Sequence, residues 1–177
     1  RLNPDRLYHS LNVADEAKKL AKHYGADEQK AFTAGLLHDI LKNTPDSELL
    51  QYFERNGIML TETERASRKT WHAMARADFL RRELHVTDED ILSAVRWHTT
   101  GRAGMTLLDK VLFVADFISA DRDYPGVERM REKAYVSLED AMLEGLQFTI
   151  NELVENAWPV HEDSIRAYNE LVINRKG

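Results

Sequence analysis

Cysteine is absent from the 177 residues, which excludes disulfides, zinc–thiolate sites and thiol nucleophiles together. Any metal site must therefore use nitrogen and oxygen donors, drawn from seven histidines and thirty acids. An excess of positive charge is missing too. Against 30 Asp and Glu stand 24 Lys and Arg, a net charge of −6, whereas a nucleic-acid backbone binder normally presents a basic face. A small phosphorylated substrate is not excluded with it, because a bound metal reverses the field locally. No apolar run approaches the roughly 20 residues of a membrane span, and no signal-like start is visible. The chain opens on Arg1 rather than Met, so a short native N-terminal piece is expected to precede it. The expectation is a soluble, cytoplasmic protein with neither nucleic-acid nor membrane partners.

Strand alternation, hairpin turns, repeats and low-complexity tracts are also lacking; what is present is helix punctuation. Asn3 before Pro4 reads as an N-cap with proline at the first helical position, and Gly25 as the stop. Leu7, Leu11, Ala14, Ala17 and Ala21 mark one apolar face between them. Asp27 opens a second helix expected to run to about Asn43, and Thr44 and Pro45 open a third ending near Gly57. Thr61 with Glu64, Thr87 with Asp90 and Thr106 with Asp109 have the capping-box spacing. "TLLDKVLFVADFIS" is apolar almost all round and should be a buried central helix. Ser137 and Pro159 are expected to start the last two helices, while "TTGRAGM" and "ADRDYPGVERM" read as irregular stretches. A chain of this length forms one domain of roughly the usual 100–200 residues. The fold expected for residues 1–177 is all-α, a single-domain helical bundle.

The helical wheel of the second helix places Phe32, Leu36, Leu37, Ile40 and Leu41 on a core side. Ala31, Gly35, His38, Asp39 and Lys42 fall on another, where the small residues are expected to leave room for the polar trio. Glycine inside a helix costs roughly 1 kcal/mol relative to alanine, so Gly35 needs a reason. Of the other histidines, His9 edges an apolar face, His72 lies among small residues in "TWHAMA", and His98 abuts the glycine-bearing loop. Asp116 is the lone carboxylate in "VLFVADFI", whereas His23, His85 and His161 look like surface positions. Singly, each candidate has an ordinary reading. An edge histidine is usually a hydrogen-bonded boundary residue, Lys42 a solvated helix-end lysine, and Arg122 a salt-bridge partner. The loop bearing Gly101 and Gly104 lacks a phosphate-binding spacing. Jointly, four imidazoles and two carboxylates in the order His, His-Asp, His, His, Asp suit two divalent metals bridged by Asp39.

The pieces "RLYHSLNVA", "AGLLHDILK", "WHA", "AVRWHTTG", "LDKVLFVADFISADRDYPGVERMR" and "AYNELV" span nearly the whole chain in order. In them the sequence resembles the HD-domain metal-dependent phosphohydrolases, and within these the bacterial YqeK-type branch of symmetrical diadenosine tetraphosphate hydrolases. Ser119 stands where that branch would have an acidic residue. The resemblance implies an HD-domain helical bundle with one metal held by His9, His38, Asp39 and Asp116. A second metal would be held by Asp39, His72 and His98. Both would be divalent transition metals, iron first and manganese among the alternatives. It further implies that Lys42, Thr100, Gly101, Arg102 and Arg122 approach the polyphosphate of a small dinucleoside substrate. A homodimer is left open.

Two divalent cations sharing a water would lower its pKa from 15.7 towards about 7 and make a nucleophile without a protein base. Asp39, Lys42 and Arg122 are the expected catalytic residues, the last two balancing phosphate charge. Attack next to the midpoint of the chain would give two ADP. The alternatives are an HD-domain hydrolase of another nucleotide phosphoester, a di-iron oxygenase and a non-catalytic nucleotide sensor. The cationic Lys42 and Arg122 favour a phosphate substrate over oxygen chemistry, and no ligand has been lost as in a sensor.

Overall fold

The structure is a computed structural model that describes residues 3–175. Among these residues there are ten helices and no strand. They are α1 (Pro4–Tyr24), α2 (Glu28–Leu37), α3 (Asp46–Arg55), α4 (Glu62–Ala66), α5 (Arg68–Arg82), α6 (Glu89–Trp97), α7 (Leu107–Ile118), α8 (Val127–Val136), α9 (Leu138–Glu155) and α10 (Glu162–Arg175). No helix among the described residues is long and apolar enough to cross a membrane. The Asn3 carboxamide accepts from the Arg6 N–H ahead of Pro4, and Gly25 closes α1 at φ 79, where a side chain would be strained. The capping boxes at Thr61 and Thr106 form in both directions.

Four expected boundaries move. Asp88, not Thr87, caps α6, since its carboxylate accepts from Asp90 and Ile91 while Lys30 holds it at 2.9 Å. A charged acceptor at a helix start also meets the dipole favourably. The last helix opens at Glu162 rather than Pro159, because the buried His161 ring accepts the Asp163 N–H. The end of "ADRDYPGVERM" is not irregular, as Gly126 at φ 93 turns the chain into α8. Finally, α2 stops at Leu37 instead of running to Asn43. His38 donates from Nδ1 to the Gly35 carbonyl at 2.6 Å, the acceptor that a continuing helix would offer to Asp39. The chain then tightens into i→i+3 turns through Lys42 and Thr44.

Helix α7 is the central helix. Val111, Leu112, Val114 and Ala115 are wholly buried, and α1, α2, α6, α8 and α9 all pack on it. Burying each of its larger apolar side chains contributes roughly 1.5–3 kcal/mol. A second apolar cluster of Leu49, Phe53, Trp71 and Phe79 joins α3 to α5. Ile40, in the turn after α2, packs against both clusters. The His38–Asp39 pair therefore lies on the seam between two cores.

The two faces assigned to α2 hold only in part: Leu41 is buried and Leu37 and Ile40 pack against the core, as expected of that side, but the small-residue side is buried more deeply. Ala31, Ala34 and Gly35 are buried, whereas Phe32, Leu36 and Leu37 are half-buried. A Cβ on Gly35 would lie 2.5 Å from the Ala14 Cα and 2.8 Å from its nitrogen. Gly35 lets the backbones of α1 and α2 touch; the small side chains make a helix crossing, not an open space.

Candidate metal centre

Two of the donors come from helix ends of one design. His38 caps the C-terminus of α2 and His98 that of α6. Each points Nδ1 at the carbonyl three residues back, at 2.6 Å on Gly35 and 2.7 Å on Val95. A carbonyl only accepts, so both rings carry their proton on Nδ1 and turn an Nε2 lone pair inward. His9 arrives from α1 and Asp116 from α7. The His38 ring centroid lies 5.3 Å from that of His9 and 5.1 Å from that of His98. Two donor groups result, His9–His38–Asp116 and His38–Asp39–His98, each with ligand atoms within 4.8 Å of one another.

A metal ion fits the first group on a specific observation. His38 Nε2 is buried and has no hydrogen-bond partner among the described residues. It lies 3.8 Å from both Asp39 Oδ2 and Asp116 Oδ1. A lone pair buried against two carboxylates is costly unless a cation sits among them. The set is hard oxygen plus imidazole nitrogen, suited to a divalent transition metal.

Charge arrangement agrees. Burial pushes the Asp116 carboxyl up, but His9, His38 and Arg122 outweigh it and hold the group well below the carboxylate range. For Asp39 burial is outweighed by His38, Arg76 and Lys42, leaving it at about 2. Both are anions at neutral pH. Burial alone would lower His9, yet its bonds to Asp116 and Asp121 raise it on balance. Burial and the neighbouring Arg76 bring His98 down to about 3, so it stays neutral.

Sequence reasoning missed Asp121, Arg6 and Arg76. Asp121 Oδ2 takes the His9 Nδ1 proton at 2.7 Å, orienting Nε2 inward as carboxylates behind metal-ligating histidines do. Ser119, the departure noted in the sequence, donates to the other Asp121 oxygen at 2.8 Å and so fixes that carboxylate. Arg6 lies 3.2 Å from Asp39 Oδ2. Arg76 lies 3.0 Å from Asp39 Oδ1 and donates to His98 Nε2 at 3.0 Å. Its signal was available: Arg76 falls one helical turn after His72, on the same face of α5.

The remaining expected residues divide. His72 is half-buried, donates from Nδ1 to the Leu41 carbonyl at 2.9 Å, and joins neither donor group. The Lys42 ammonium makes no hydrogen bond or ion pair among the described residues, and burial lowers its pKa despite Asp39 nearby. Arg122 binds Asp116 twice, through its carboxylate at 2.6 Å and its carbonyl at 2.7 Å. Thr100, Gly101 and Arg102 are engaged elsewhere. The Thr100 hydroxyl bonds to the Gly101 carbonyl, Ser164 to the Thr100 carbonyl, and Arg102 to Asp109 and Ser93. His161, expected at the surface, is buried, while His23 and His85 are exposed.

Residues 6–121 match the family model described as the HD domain. A Bacillus subtilis (strain 168) protein described as "Bis(5'-nucleosyl)-tetraphosphatase, symmetrical" is 38% identical over 172 residues, covering 97% of this chain and 92% of its own. A Staphylococcus aureus protein of the same description is 33% identical, over 94% of this chain and 87% of its own. A crystal structure from Clostridium acetobutylicum, described as a predicted HD superfamily hydrolase involved in NAD metabolism, superposes with a TM-score of 0.91. It is 32% identical and covers 98% of this chain and 92% of that one.

Proposed function

This chain belongs to the HD-domain family, and from that premise we propose that it hydrolyses diadenosine tetraphosphate symmetrically, to two ADP. It is a metal-dependent hydrolase of phosphoric anhydrides. The observation that carries the reading is the orphaned His38 Nε2, buried between Asp39 and Asp116. His9, His38, Asp39 and Asp116 would hold one divalent ion, with iron the first candidate. A divalent ion in such a site lowers the pKa of water towards about 7 and offsets phosphate charge, which anhydride hydrolysis at neutral pH needs. A second ion at Asp39, His72 and His98 depends on where the Arg76 guanidinium goes.

The residues around the donors supply the rest. Arg122 stands at Asp116 and lines a cavity of about 520 Å³, the size of a nucleotide site. Tyr124 and Phe148 line the same cavity with near-parallel rings, 24° apart in plane and 6.3 Å between centroids. That supports one nucleoside resting on aromatic rings, its phosphates running back past Arg122. Lys42, near Asp39 and without a hydrogen bond among the described residues, keeps its donors free to balance charge on the leaving diphosphate. Fixed cations aimed at developing charge cost no reorganisation during reaction.

Product analysis in isotopically labelled water tests the reading. ADP should be the sole nucleotide product, one of each pair labelled. ATP with AMP would mean asymmetric cleavage and would overturn it.

A further inference from the structure

Three guanidiniums pair with the acids of this centre, and they differ in what surrounds them. The side chains of Arg6 and Arg122 are 40% and 39% exposed. Either can swing into water and release its carboxylate to an incoming ion. Arg76 is 1% exposed. Its neighbours along α5, Ala73, Ala75, Phe79 and Leu80, are buried as well. Leaving the centre would carry a bare charge into apolar packing, which folded proteins avoid.

Its position is specific. Nη2 lies 3.0 Å from Asp39 Oδ1, and Nη1 donates to His98 Nε2 at 3.0 Å. The Thr99 hydroxyl reaches the same Nε2 at 3.1 Å. These are the lone pairs that a second metal ion would need from Asp39 and His98. The third expected donor, His72, stands outside both donor groups, anchored on Leu41. An arginine side chain stays protonated in proteins, so the group is a cation at neutral pH. Arginine offers donors and no acceptor, and its charge repels a divalent ion brought to the same oxygens.

We propose that Arg76 is a built-in cation at the second metal position, so that the centre takes one divalent ion, at His9, His38, Asp39 and Asp116. Arg76 then supplies, from the protein, positive charge that a second ion would bring to Asp39 and the phosphate chain. The inference rests on the hydrolase reading above and sharpens it to a metal count.

The test is manganese loading of the metal-stripped protein. Bound Mn(II) is counted by equilibrium dialysis and elemental analysis, and its coupling is read by electron paramagnetic resonance. The wild type should bind one Mn(II) per chain with the signal of an isolated ion. Arg76→Ala should accept a second and show an exchange-coupled pair, while Arg76→Lys, which keeps the charge, should stay at one. Two coupled ions in the wild type would overturn the inference even if Arg76→Ala fails to fold. One ion in Arg76→Ala would overturn it as well, since Arg76 would not be what excludes the second. No bound ion in the wild type would overturn both this inference and the metal-hydrolase reading. Two ions with symmetric cleavage intact would overturn the metal count alone.

Discussion

The two halves of the centre share Asp39 and contain the same kinds of donor, yet they are held differently. In the half formed by His9, His38 and Asp116, an imidazole lone pair is buried without a partner, and the guanidiniums beside the acids are partly exposed. In the half formed by His98 and His72, the His98 Nε2 lone pair already accepts from Arg76 and Thr99, and its guanidinium partner is sealed in the core. Ligand type is therefore a poor guide to which half binds an ion. What decides is whether the cation now on the carboxylate can leave. A partly exposed arginine regains water as it leaves, and the incoming ion takes over the acid it releases. Breaking a buried pair costs about 3–5 kcal/mol.

The largest effect should come from the residue both halves share. Asp39→Ala should lose bound metal and roughly 10³-fold or more of activity, and should melt earlier because Arg76 is left buried and unpaired. Retention of full metal content by this variant, measured by elemental analysis, would break the picture of a shared carboxylate. Lys42→Ala removes a cation that touches neither half. Turnover should fall about 10²-fold, as for loss of one transition-state donor, with metal content unchanged; metal loss would make Lys42 part of the metal-holding structure instead. Asp121→Asn acts on the open half alone, through His9. Metal affinity should weaken by about 10–100-fold, read by competitive chelation, and an unchanged affinity would remove Asp121 from the centre.

Gly35→Ala asks whether helix packing places the His38–Asp39 turn. The added methyl meets Ala14 backbone, so stability should fall by about 1–3 kcal/mol in denaturant unfolding. An unaffected stability would mean that α1 and α2 can part without consequence. The smallest effect is expected at His72, in the closed half. His72→Ala should leave the metal count of the wild type unchanged within error, matched by the exposed control His23→Ala; loss of an ion from His72→Ala would reopen that half.

Local chemistry was legible along the chain. Asn3–Pro4, Gly25, Thr61–Glu64 and Thr106–Asp109 specify helix ends through bonds that reach only a few residues, so they read correctly from spacing alone. The unbroken apolarity of residues 107–118 likewise marks a helix that must be surrounded. His9, His38, Asp39, His98 and Asp116 stand out because polar groups in such surroundings need partners, whatever the partners are. Periodicity could not tell which side of α2 is inside, since large side chains and small ones both bury when the neighbouring helix comes close enough. Only the crossing at Ala14 and Gly35 settles that.

Sequence by itself thus determined an all-α chain, the helix starts set by local caps, and a set of imidazoles and carboxylates too costly to bury singly. The tertiary structure decided the rest: that His38 and His98 end their helices and face each other, that Asp121 backs His9, and that Arg76 reaches Asp39 and His98 from α5. The reason is range. A cap or an apolar stripe acts over a turn or two of one helix, whereas the partner of a buried charge is set by which helices pack together. Those partners lie 37 and 22 residues from Arg76 along the chain, and only the packed fold brings them within 3 Å.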